Sequence, residues 1–135
     1  MAKIGWIISF FAAMYLIATA LGFTMYLLLS PNAMWVSVFT LMPIISAELI
    51  YVYLKKMNFN RESTLRESFR LSVIWIALSF GFDALTYIVI VPEVGHTAAN
   101  WTFFRDQSPW IWLSYLVLLA SAWAGRWVYL RRLDA

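Results

Sequence analysis

The stretch LSVIWIALSFGFDALTYIVIV, residues 71–91, runs for 21 residues with a single charged side chain, Asp83. A spanning helix needs about 20 mostly apolar residues, at 1.5 Å each, to cross a hydrocarbon core about 30 Å thick. The stretch therefore reads as a membrane helix that carries an acid. Its helix is expected to start earlier, near residue 66, because Thr64 and Glu67 fit a capping box. Three further apolar blocks, at about 4–29, 33–54 and 110–129, have the same character. The expected fold is all-α: an integral membrane four-helix bundle, with residues 1–135 forming one four-span transmembrane domain.

Composition agrees. Hydrophobic residues make up 63% and charged residues 13% of the 135 residues, where a soluble domain carries roughly a quarter charged. The mean hydropathy is +0.74. Cysteine is absent, which excludes disulfides and thiolate metal sites, and the one histidine excludes imidazole clusters. No metal site and no cofactor is expected, and no P-loop, dinucleotide glycine pattern, HExxH or Gly-x-Ser-x-Gly motif occurs.

The net charge of +3 is explained by placement rather than by nucleic acid. Lys3, the connector KKMNFNRESTLRESFR (55–70) and the tail from Arg126 hold nine of the ten Lys and Arg, and Arg105 alone lies in the other connector. The positive-inside rule then puts both termini and residues 55–70 in the cytoplasm, in a cell (inner) membrane, with the 92–109 loop outside. Lys3, the apolar run and Ala18-Thr19-Ala20 have features of a cleavable signal. The apolar run continues to Leu29, so the segment reads as a retained helix. Ser30 with Pro31, and Ser108 with Pro109, suit an N-cap followed by a first-turn proline. Pro92 suits the end of the third helix. Trp6, Trp35, Trp101, Trp110 and Trp127 fall near helix ends, where indoles favour the headgroup layer.

Helical spacing groups polar residues into stripes. Ser72, Ser79, Asp83, Thr86 and Tyr87 share one face of the third helix. Gly5, Ala12, Tyr15, Thr19, Gly22 and Tyr26 share one of the first. Ser37, Glu48 and Tyr51 align on the second, beside Thr40 and with Pro43 as a kink, and Ser114, Ser121 and Gly125 align on the fourth. The plain reading is helix packing, in which small residues let backbones approach and hydroxyls bond across. On that reading Asp83 and Glu48 point inward. Counting from the inner helix ends, Asp83 lies ~18 Å up and Glu48 ~9 Å up.

Glu48 is within reach of basic residues at the inner end, so an ion pair suits it. Asp83 has no Lys or Arg at its depth. A charge there costs about 3 kcal/mol on insertion scales, and intramembrane acids are by default functional candidates. The expected site is a ligand- or proton-binding group of Asp83, Glu48, Tyr15, Thr19, Ser79, Thr86, Tyr87, Tyr51 and Ser114, with Tyr15, Thr19, Ser79 or Ser114 as hydrogen-bond donors to the acid.

Two connectors add weaker signals. In the outer loop, Glu93 and His96 are too few for a metal site. Trp101, Phe103 and Phe104 suit burial in the bilayer surface, and Asn100-Trp101-Thr102 is a glycosylation sequon. The inner connector, with Leu65 and Phe69 among its charges, suits a short amphipathic lead-in on anionic headgroups.

Three functions compete. A proton-coupled or cation/small-molecule transporter uses both acids. An intramembrane acid–base enzyme acting on a lipid or terpene-like substrate uses a neutral Asp83 as proton donor. A non-catalytic accessory or scaffold protein uses the stripes to dock. The expected partners are the lipid bilayer and a second copy or another membrane protein.

Overall fold

The computed structural model describes residues 2–90 and 102–135. It is all-α. Helix α1 runs Ala2–Leu28, α2 Pro31–Met57 and α3 Ser63–Ala84, which continues as a π-helical segment over Leu85–Ile90; α4 is the short Thr102–Asp106 and α5 runs Trp110–Leu133. Four helices are long and apolar enough to cross a membrane: Lys3–Leu28, Pro31–Met57, Ser63–Val89 and Trp110–Leu133. Their outer faces carry exposed Leu, Ile, Val, Phe and Trp side chains, which only lipid suits in such number. The chain is a small multi-pass membrane protein.

The helices pack with α2 between α1 and α5, and α3 along α5. The α2–α5 contact is the tightest. A Cβ on Gly125 would lie 2.5 Å from the Ala47 carbonyl oxygen and 3.0 Å from Ile50. Close backbone approach through a small residue is how membrane helices gain packing energy without a hydrophobic driving force. The α1–α3 seam is made chiefly by side chains: Trp75 Nε1 donates to Ile7 O at 3.3 Å, and Phe11 packs on Phe82 with ring centroids 5.7 Å apart.

One end of the bundle gathers most of the described charge. Lys3 pairs with Glu67 at 3.0 Å and sits 4.4 Å over the Phe59 ring. Lys56 sits 3.9 Å over Trp6, and Arg126 Nε donates to Thr64 Oγ1 at 3.1 Å. Above this end lies the core, where Ile50, Tyr53, Leu54, Leu71 and Trp75 are almost wholly inaccessible.

The helix ends test the capping expectations. Ser30 Oγ accepts the Ala33 N–H at 3.1 Å with Pro31 in the first turn, as its sequence predicts. Asn58, at φ 51° and ψ 51°, closes α2 by donating its N–H to Leu54 O and Lys55 O, the left-handed stop that Asn tolerates. The Thr64–Glu67 capping box does not form. Asn60 Oδ1 accepts the Ser63 N–H instead, Thr64 Oγ1 donates to Arg61 O, and Lys3 engages the Glu67 carboxylate. Nor does Ser108 cap α5. It donates to Phe104 O at 2.6 Å and accepts from Trp112 Nε1 at 2.8 Å, tying α4 to α5. Helix α5 runs past residue 129, with Arg131 and Arg132 in its last turn, where cations complement the helix dipole.

Phe103 and Phe104 do not dip into the bilayer. Both are buried: Phe103 stacks on Tyr87 at 4.4 Å and Phe104 lies 5.0 Å from Phe80. Amphipathic α4 buries its aromatics on the bundle and leaves Arg105 and Asp106 outside, 3.4 Å apart. Leu65 and Phe69 are exposed on the first turns of α3. Pro92, Glu93, His96, Trp101 and the sequon's Asn100 lie outside the described residues.

Candidate functional site

Asp83 stands one residue before the end of α3, where the backbone widens into the π-helical segment. Such segments are rare and often mark functional positions. The carboxylate is partly buried and receives two phenol hydrogen bonds. Tyr15 donates its hydroxyl to Oδ1 at 2.7 Å, and Tyr115 donates to Oδ2 at 2.6 Å. Tyr15 is the midpoint of α1, so the acid lies near mid-bundle on that measure. Hydrogen bonds to a charged group contribute about 1.5–3 kcal/mol each. Two of them offset an insertion cost of about 2.5–3.5 kcal/mol.

The three residues come from three helices. Tyr15 on α1 and Tyr115 on α5 do not belong to adjacent helices, because α2 stands between them. Asp83 therefore joins the two sides of the bundle from the third. The aromatic contacts of Tyr15 with Phe11 (5.5 Å) and Phe82 (5.5 Å) fix the first phenol. The second is buried, its ring 6.0 Å from Trp112.

The triad lines a cavity of about 180 Å³ in the half of the bundle away from the basic end. Its walls are mixed. Thr19, Ser79, Tyr87 and Ser114 contribute polar atoms, and Met14, Met34, Met42 and Leu118 contribute apolar ones. Helix α4 adds Phe103 and Gln107. Asp83 is the one formally charged residue among the described residues lining it. The cavity is about half open, and the packed core around Leu71 and Trp75 lies on the side of the basic end. Among the described residues no group of three His, Cys, Asp or Glu could hold a metal ion.

The structure thus brings together Tyr15, Thr19, Ser79, Asp83, Tyr87 and Ser114 around one space. Thr19 and Ser114 do not donate to the acid; Ser114 Oγ bonds Ile111 O at 2.6 Å. Thr86 is half-buried and does not line the cavity. Tyr51 is buried at the basic end, where Arg132 Nη1 donates to its hydroxyl at 3.0 Å.

Glu48 is the clear correction. It is exposed on the outside of the bundle, not inward. The buried face of α2 is Met42, Ser46, Ile50, Tyr53 and Leu54. Glu48 is two residues from both Ser46 and Ile50, about 200° around the helix, in a stripe with exposed Ile44 and Val52.

Tyr115 and Gln107 were not anticipated from the sequence. Tyr115 was legible in principle. It falls in the series Ile111, Tyr115, Leu118, Ala122, Gly125 and Tyr129 that makes the buried face of α5. The small-residue stripe was right at Ser121 and Gly125, which lie on that buried face, and only its member Ser114 sits one residue, or about 100°, from Tyr115. Comparison with known protein families, curated proteins and solved structures finds no match to this chain.

Proposed function

We propose that this is a carrier-type membrane protein whose cavity takes up a small cation or a proton at Asp83. The observation that carries the reading is the single carboxylate, held by Tyr15 and Tyr115, with no Lys, Arg or His among the described residues lining its cavity. A fixed negative charge without a counter-ion is a site that a cation completes. Proton and cation would compete for the same carboxylate, which is the minimum needed to couple their movement. The cavity, about 180 Å³ and half open, is smaller than the roughly 300–1,000 Å³ of pockets for drug-sized ligands, which suits a small cation.

The test is flux. In proteoliposomes carrying an internal pH dye, an imposed gradient of tetramethylammonium chloride, a cation with no neutral form to leak through lipid, should drive proton movement through the native protein. Asp83→Asn should abolish it. Unchanged flux in that variant would remove the carrier reading.

The basic end is placed in the cytoplasm, because it holds nine of the ten Lys and Arg and loops rich in these residues stay inside. The cavity then lies in the outer half of the membrane. The chain has no cysteine, so single-cysteine variants report topology cleanly. In intact cells an impermeant maleimide should label Arg105→Cys and leave Glu62→Cys unlabelled until the membrane is opened. The reverse pattern would invert the orientation.

A further inference from the structure

Resting on the carrier reading, we infer that the cavity recognises an onium ion, a small quaternary ammonium with short apolar substituents, rather than a hydrogen-bonding amine or an inorganic cation. Four observations converge. First, both oxygens of Asp83 already accept a phenol at 2.7 and 2.6 Å. Each oxygen keeps a further lone pair, so the phenols hold the carboxylate in place and leave its charge for any cation to meet; the choice between an amine and an onium falls to the rest of the wall.

Second, the remaining walls are largely aromatic. Trp35, Phe23 and Tyr26 line the cavity, while the Tyr87 ring is taken up in stacking with Phe103 and Phe23. The negative faces of aromatic rings attract cations, and quaternary ammonium groups are the ligands that aromatic cages hold best. Third, Met14, Met34 and Met42 line the same space with polarizable thioethers that suit methyl substituents, and Asp83 is the one carboxylate among the described lining residues, where a hard cation usually takes several oxygen ligands with carboxylates among them. Fourth, the cavity of about 180 Å³ is smaller than the roughly 300–1,000 Å³ of pockets for drug-sized ligands, which suits a compact cation.

The site has one carboxylate and several rings, so selectivity and affinity separate. The charge decides that a cation binds; the rings decide which one. Replacing Trp35 by phenylalanine keeps a ring in the wall and should preserve onium binding, while Trp35→Leu should weaken it about tenfold or more, the size of a desolvated cation–π contact.

Titration calorimetry on the full-length protein in nanodiscs tests this with tetramethylammonium, methylammonium and neutral tert-butyl alcohol. The expected order is tetramethylammonium at least tenfold tighter than methylammonium, with no measurable binding of the alcohol. Trp35→Leu should narrow the gap, and Trp35→Phe should retain it, with thermal unfolding confirming that both variants are folded. Methylammonium binding as tightly as, or more tightly than, tetramethylammonium would overturn the onium inference and leave the carrier reading standing. Failure of both cations to bind, or equal binding of both to Asp83→Asn, would overturn the two together.

Discussion

Asp83→Asn is expected to weaken cation binding by about thirtyfold or more. Removing one member of a desolvated charge pair costs about 2–5 kcal/mol, and 2 kcal/mol is roughly thirtyfold. The substitution isolates charge from shape. Asparagine has nearly the same volume and still offers a carbonyl oxygen to one of the two phenols, so the bundle should remain folded. Glu48→Gln is the matching control. Its side chain lies outside the bundle, so binding should be unchanged although the same charge is removed. The pH dependence follows from the same competition. The groups facing Asp83 are Tyr15 and Tyr26 from α1, Tyr115 from α5 and Tyr87 from the π-helical segment, while Trp35, Met34 and Met42 from α2 do not titrate. Protonation of Asp83 removes the charge that a cation meets. Affinity should therefore fall as pH falls and rise to a plateau once the carboxylate is ionised, and in Asp83→Asn it should not depend on pH. Calorimetric affinities for tetramethylammonium across pH measure both effects.

Gly125→Ala is expected to destabilise the bundle by about 1–3 kcal/mol, the usual cost of overpacking. Alanine favours a helix over glycine by about 0.5–1 kcal/mol, so propensity alone predicts the opposite sign. Packing decides here because the added methyl would meet backbone, the Ala47 carbonyl oxygen at 2.5 Å, together with Ile50 at 3.0 Å. A flexible side-chain tip could swing away, but a helix carbonyl moves only if α2 and α5 separate. Gly5 supplies the contrast, because a Cβ there meets nothing within 4 Å. Thermal unfolding in nanodiscs should give a lower midpoint for Gly125→Ala and an equal or higher one for Gly5→Ala. Equal midpoints for the two variants would contradict the packing described for α2 and α5.

The architecture was legible because lipid imposes a coarse rule. Any stretch such as residues 71–91 must satisfy its backbone internally, so length and apolarity suffice to name a helix. The stripes on α1 and α3 placed Tyr15, Thr19, Ser79 and Asp83 on facing surfaces for the same reason. Finer placement failed where one residue changes the face. Glu48 looked inward when aligned with Ser37 and Tyr51, yet the packing of α2 is set by Ser46 and Ile50, about 200° away. Tyr115 was passed over because only small and hydroxyl residues were followed on α5; Ser121 and Gly125 do lie on its buried face, but so do the larger Ile111, Tyr115 and Leu118. The roles of Phe103 and Gln107 depend on the short α4 folding onto the bundle, a tertiary event that five residues cannot announce. Capping at Ser108 failed because the hydroxyl had better partners in Phe104 O and Trp112 Nε1.

The central claim is that Asp83 is the anion that a cation meets inside the bundle. Infrared difference spectroscopy of the full-length protein in nanodiscs reads this directly, with Asp83→Asn used to assign the carboxyl bands. Adding tetramethylammonium should perturb a carboxylate band that is absent from Asp83→Asn and still present in Glu48→Gln, while tert-butyl alcohol should leave it unmoved. A cation-induced change that persists in Asp83→Asn, or no change in the native protein at saturating cation, would contradict the account.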